Sequence, residues 1–255
     1  MIEEKLPGLW RVGGHGWGVT TTISGSGDSN VYLLRLDGAE VLIDCGTLEG
    51  RPFIESNIRE AGVKPEDLTD LLLTHSHYDH TQAVSEWQSR YRLRTHLNAI
   101  GTQFLERSDH RLVGYEVEGP DYIFKPFRVD HAIEDGEMFH IGSTPFTSHF
   151  MPGHTPDSTL LTFDFQGYRV GISGDITFGP SPHGVTIGWM QELWLSDAAA
   201  YQKSLQRLLE LPLDLLLPGH GHTIVGQEAI NKAASASLHV IKRLLDNSKE
   251  VGEEE

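Results

Sequence analysis

Thr74-His75-Ser76-His77-Tyr78-Asp79-His80-Thr81 sets four metal-ligand side chains within six positions, directly behind the apolar run Leu71-Leu72-Leu73. The run reads as a short buried strand and Gln82 to Ser89 as a following helix, so the ligands fall on the loop where the strand ends. Open α/β proteins place their chemistry at this edge, outside the carboxyl ends of strands. Imidazole nitrogens and a carboxylate are what a borderline divalent ion such as zinc prefers. Alternation lets His75 and His77 share one direction while Asp79 and His80 diverge toward another, so one segment can feed two adjacent ions. A polar loop that is merely rich in His is the bland alternative. His-x-His-x-Asp-His after an apolar strand speaks against it.

Four more turns end in ligand-type residues. Val41-Leu42-Ile43-Asp44-Cys45-Gly46 is an apolar strand closing on Asp and Gly, and Met151-Pro152-Gly153-His154-Thr155-Pro156 is a tight turn exposing one His. Val170-Gly171-Ile172-Ser173-Gly174-Asp175 and Leu215-Leu216-Leu217-Pro218-Gly219-His220-Gly221-His222 repeat the strand-then-ligand pattern. Each is weak alone. In this order they resemble the five motifs of the metallo-β-lactamase superfamily, from about Gly8 to the final helix.

That resemblance implies an α+β fold, a four-layer αββα sandwich of two mixed β-sheets flanked by helices. It assigns His75, His77 and His154 to one metal site and Asp79, His80 and His220 to a second. Asp175 takes the place of the carboxylate that bridges both ions, and Asp44 orients a ligand rather than touching metal. His220 is preferred to His222 by its position after Pro-Gly. The expected cofactor is two Zn²⁺ per chain, with Mn²⁺, Fe²⁺ or Co²⁺ alternatives in the same frame. The implied chemistry is hydrolysis of an ester, thioester or lactone bond of a small organic substrate by metal-bound hydroxide. Asp79 and Asp175 are the candidate catalytic carboxylates. The alternatives are β-lactamase activity at the same site and a mononuclear iron sulfur dioxygenase of the same fold. The usual Gly-rich continuation of the central motif is replaced here by Thr81-Gln82-Ala83-Val84.

Composition narrows the field. The 255 residues suit a single domain spanning 1–255, with an acidic tail from about 248 expected to be frayed. A net charge of −16, from 20 basic and 36 acidic residues, attracts neither nucleic acid nor an anionic membrane. No apolar run is long enough to span a bilayer. Met1-Ile2-Glu3-Glu4-Lys5-Leu6-Pro7 lacks the features of a signal peptide, so cytoplasmic residence is expected. The one cysteine, Cys45, rules out an internal disulfide and reads as a buried strand-end residue. No basic cluster near the C-terminus suggests glutathione binding.

Strands are expected at Trp10–Val12, Asn30–Leu36, Glu40–Ile43, Glu137–Ile141, Pro145–Phe150, Thr159–Phe165, Tyr168–Ile172 and Leu213–Leu217. Helices are expected at Glu55–Ala61, Ala99–Glu106, Ser196–Leu211 and Gln227–Leu245. Candidate pocket walls are Trp17 beside His15, Tyr115 and Tyr122 within a lid over 107–129, and His183, Trp189 and Trp194.

Overall fold

A computed structural model describes residues 2–15, 22–107, 109, 111, 125–179, 187–188 and 195–252, with side chains to 247. Trp17, Tyr115, Tyr122, His183, Trp189 and Trp194, and most of the proposed lid, lie outside the described residues.

The first sheet runs in chain order: β1 (Glu3–Leu6), β2 (Leu9–Gly13), β3 (Val31–Leu36), β4 (Ala39–Ile43), β5 (Asp70–Leu72), β6 (Arg94–Asn98) and β7 (His131–Ile133). Its first four strands form an antiparallel meander, and β4 through β7 are parallel. The second sheet contains β8 (Met138–Ile141), β9 (Thr144–Phe150), β10 (Thr159–Phe165), β11 (Tyr168–Gly174), β12 (Leu215–Pro218) and β13 (Ile224–Val225), in reverse chain order across the sheet. Only β11 and β12 are parallel there, so both sheets are mixed.

Period-two alternation explains the layering. In β3, Tyr32 and Leu34 face a core between the sheets, while Val31 and Leu33 face a second core outside them. Leu72 of β5 turns inward and Leu71 and Leu73 turn outward; in β12, Leu215 and Leu217 turn inward and Leu216 outward. Strands buried on both faces read as unbroken apolar runs, which is why Leu71–Leu73 and Leu215–Leu217 show no polar face. Between the sheets Phe139, Phe146 and Phe163 stack in series, with centroids 5.7 and 4.6 Å apart.

Helices cover the outer faces. On the first sheet, α1 (Arg51–Glu60) supplies Ile54 and Ile58, and α3 (Val84–Arg90) supplies Trp87. The single turn α2 (Tyr78–Thr81) precedes α3, and α4 (Ala99–Glu106) follows β6 with Asn98 as its N-cap. On the second sheet, α5 (Ala198–Glu210) and α6 (Gln227–Gly252) bury Tyr201, Leu205, Leu208, Ile230, Ala234 and Ile241. The four layers are therefore helix, sheet, sheet, helix.

Three local expectations are corrected. The helix expected over Gln82–Ser89 is split, with α2 already wound at Tyr78 and α3 starting at Val84. α1 begins four residues earlier than Glu55, at Arg51, where Pro52 occupies the first turn that suits its fixed φ. The last helix runs past Leu245 to Gly252, taking the start of the acidic tail into regular structure. No Gly or Pro interrupts it before that point.

Candidate metal centre

The parallel pairs decide where the ligands meet. Asp44 follows β4, His75 to His80 follow β5, Asp175 follows β11 and His220 follows β12. These are carboxyl ends of parallel neighbours, in one sheet and then the other. His154 lies on the tight β9–β10 connection at the same end, since β9 runs in the direction of β11.

The seven expected ligands come together in two buried groups. His75, His77, His154 and Asp175 form one, and Asp79, His80 and His220 form the other; within each, one ligand atom per residue lies within 4.8 Å of the rest. Asp175 reaches both groups. Its Oδ2 is 3.3 Å from His154 Nε2 and 3.4 Å from His220 Nε2, and its Oδ1 is 3.4 Å from His80 Nε2. Asp79 Oδ2 is 3.1 Å from His220 Nε2 and 3.5 Å from His80 Nε2. His222 is exposed and belongs to neither group.

Hydrogen bonds behind the ligands fix which ring nitrogen points inward. His80 Nδ1 donates to Asp44 Oδ2 at 2.8 Å, which turns Nε2 toward Asp79 and Asp175. His154 Nδ1 donates to the Gly188 carbonyl, so its Nε2 carries a lone pair, and that atom faces His77 Nδ1 at 2.9 Å. His75 Nδ1 contacts Thr74 Oγ1 at 3.1 Å, and its Nε2 is buried with no hydrogen-bond partner. His75 Nε2 and His80 Nε2 are buried without a hydrogen-bond partner, which costs free energy unless a cation lies against them. Neutral imidazoles and carboxylates in tetrahedral-sized groups are what a divalent ion takes, so the residues present fit one.

The charges agree. Burial, then the neighbouring His80 and His77, holds His75 well below the usual imidazole range; burial and then His154 do the same to His77. Burial lowers His154 as well. Burial also opposes charge on His80 and His220, but the carboxylates outweigh it. Asp79, Asp44 and Asp175 hold His80 well above its usual range, and Asp175 and Asp79 push His220 up to about 9. The carboxylate side of the centre demands positive charge, from protons or from metal.

Several supporting residues carried no signal in the sequence. Asp157 Oδ2 accepts from Ser76 Oγ at 2.5 Å, which anchors the residue between His75 and His77. Asn30 Nδ2 donates to the carbonyls of Pro218 and Gly221, at 2.9 and 3.0 Å, bracketing His220. Arg11 Nη1 donates to Asn30 Oδ1 at 3.1 Å. Such residues are recognisable only by what they touch across the fold. Cys45 is buried, and its thiol donates to the His80 carbonyl at 3.2 Å; burial pushes its pKa well up, in keeping with a structural role.

With this geometry established, similarity supplies the class. Residues 24–220 match the metallo-beta-lactamase superfamily. The chain is 33% identical to the probable metallo-hydrolase YqgX of Bacillus subtilis, over 76% of this chain and 85% of that protein. It is 25% identical to the acyl-coenzyme A thioesterase MBLAC2 of Gallus gallus, over 81% and 77%. It is 28% identical to an atrochrysone carboxyl ACP thioesterase of Aspergillus fumigatus, over 77% of this chain, but spans only 51% of that protein's length. In fold it is similar to a metallo-beta-lactamase from Cronobacter sakazakii, with a TM-score of 0.76 over 98% of both chains at 18% identity. The chain belongs to the metallo-beta-lactamase superfamily and is a metal-dependent hydrolase. Among the described residues, no helix is long and apolar enough to cross a membrane.

Proposed function

We propose that the protein is a binuclear zinc hydrolase that cleaves an ester, thioester or lactone bond of a small organic substrate. The observation that carries this is Asp175, whose two carboxylate oxygens reach ligands of both groups at 3.3 to 3.4 Å. A carboxylate placed so can span two ions and offset part of their repulsion. His75, His77 and His154 would hold one ion, and Asp79, His80 and His220 the other, with Asp175 shared. Two bound ions would supply a water acidified to a pKa of roughly 7 and a Lewis acid for the carbonyl oxygen. Asp79, beside His220 and in the same group as His80, is the carboxylate positioned to take the attacking water's proton and return it to the leaving group. Asp44 and Gly188 hold the two imidazoles in the tautomers that ligate.

Acyl rather than phosphoryl transfer is supported by charge. A phosphoryl group needs an Arg or Lys clamp, and no segment bearing a ligand contains one. The test is a panel of lactones, aryl esters, thioesters, phosphodiesters and β-lactams on zinc-loaded protein in ¹⁸O water. Acyl substrates should lead and the released acid should carry the label. Phosphodiester preference over every acyl substrate would overturn the bond assignment.

A further inference from the structure

The twenty basic residues are distributed in an unusual way. Lys and Arg are absent from 36–50 around Asp44, 65–89 around His75 to His80, and 129–168 around His154. They are also absent from 170–202 around Asp175, from 208–231 around His220, and from 12–34, the stretch that contains Ser29. Arg51, two residues beyond Glu49, is turned to Glu55 at 2.6 Å.

An open cleft of about 390 Å³ is lined by Ser26, Gly27, Thr47, Leu48, Glu49, Tyr78 and Gln82. Tyr78 separates the candidate ligands His77 and Asp79 in sequence, which ties one wall of the cleft to the segment that carries them. Its wall is rigid. Asp28 accepts from Thr47 N and Thr47 Oγ1, both at 2.7 Å, and from Gly25 N at 2.6 Å, while Ser29 N and Oγ bond the Asp79 carbonyl. Glu49, exposed at the rim, is the one charged lining residue among the described residues, and Tyr78 offers a half-exposed ring. A carboxylate beside an aromatic ring suits an ammonium and repels phosphate.

We propose that this cleft receives the leaving group of the substrate, and that it selects a neutral or ammonium-bearing group against a phosphate-bearing carrier. This rests on the acyl hydrolase reading above. In the reaction, water forms the new C–O bond, the C–S or C–O bond of the leaving group breaks, and the thiol or alcohol departs with a proton. A coenzyme A thioester would bring several negative charges to a wall whose described residues carry no cation, on a protein of net charge −16.

The test compares three thioesters of one acyl chain on the zinc-loaded full-length protein: thiocholine (cationic), N-acetylcysteamine (neutral) and coenzyme A (anionic). The expected order in kcat/KM is thiocholine at or above N-acetylcysteamine, with coenzyme A about tenfold or more below. Added salt should raise the coenzyme A value by screening repulsion. Glu49→Gln, at an exposed position, should shrink the thiocholine-to-coenzyme A ratio several-fold. It should also weaken choline binding in a calorimetric titration, where no thiol is present to ligate metal. A tenfold preference for coenzyme A over N-acetylcysteamine, or a ratio indifferent to Glu49→Gln, would overturn this inference while leaving the hydrolase reading standing. No turnover of any thioester, ester or lactone would remove the acyl hydrolase reading, and this inference with it.

Discussion

Asp44 and His80 are joined by a 2.8 Å bond from the imidazole Nδ1 to Oδ2, while the other Asp44 oxygen accepts the Thr74 amide at 2.9 Å. One carboxylate therefore sets both the tautomer of a ligand and the start of the loop that carries four of them. Removing it leaves the ligand atoms in place but unaimed. Asp44→Ala should weaken binding at the His80 position by about 10–100-fold, read by competition with a chromophoric chelator. Unchanged affinity would show that His80 is aimed by something else.

Asp175→Ala should cost more. It deletes a ligand and the bridge, so elemental analysis should fall from two ions per chain toward one, with activity lower than in Asp44→Ala. A firm value of one ion in the unaltered protein would remove the binuclear assignment.

The neighbouring imidazoles His220 and His222 should separate cleanly. His220→Ala should lose one ion, because Nε2 lies 3.1 Å from Asp79 and 3.4 Å from Asp175. His222→Ala, at an exposed side chain, should retain both. Metal contents in the reverse order would sink the assignment.

Gly219 is fixed by space. A Cβ there would stand 2.1 Å from Asp175 Oδ1 and 2.8 Å from His80 Cε1. Gly219→Ala should abolish high-affinity metal binding while circular dichroism stays native. Normal metal content in that variant would show that the loop can yield at no cost.

Glu3 and Arg11 give a pH prediction away from the metal. Arg11 is 1% exposed, and its Nε and Nη2 donate to Glu3 at 2.9 and 2.8 Å. Arg11 holds the Glu3 carboxyl down to about 2, against an opposing effect of burial and with help from Lys5. A depressed carboxylate pKa stabilises the fold above the ordinary value near 4.5, and that contribution is lost as pH falls toward 2. Allowing for screening of the partly exposed carboxylate, it amounts to about 1–2 kcal/mol. Denaturant unfolding of Glu3→Gln should show a deficit at pH 7 that narrows between pH 5 and 3. A deficit constant across that range would assign the loss to packing instead.

The fold and the residues that cluster at the candidate centre were legible for one physical reason. Strands buried on both faces leave continuous apolar runs, and the polar residue ending each run marks the edge where backbone turns. Thr159–Phe165 could thus be bounded correctly. The strands β1, β6, β7 and β13 escaped notice. β6 reads Arg-Thr-His-Leu-Asn and β7 only His-Ala-Ile, so neither presents an apolar run. The roles of Asp157, Asn30 and Thr74 were equally hidden, because a side chain whose purpose is to hold a carbonyl or hydroxyl many residues away has no local pattern. His220 could be preferred over His222 because Pro-Gly fixes the turn, whereas Asn30, which holds that turn from 188 and 191 residues away, could not be seen.

The two sheets divide the ligands between them: His75, His77, Asp79 and His80 follow a strand of the first, while His154, Asp175 and His220 follow strands of the second. Neither half of the chain thus owns a complete site, since each group of ligands draws on both. A protein cut between β7 and β8 and expressed as two pieces should acquire its ions only when the pieces reassociate. Metal uptake would then serve as a reporter of fragment complementation, and the ions would act as a clasp across the seam.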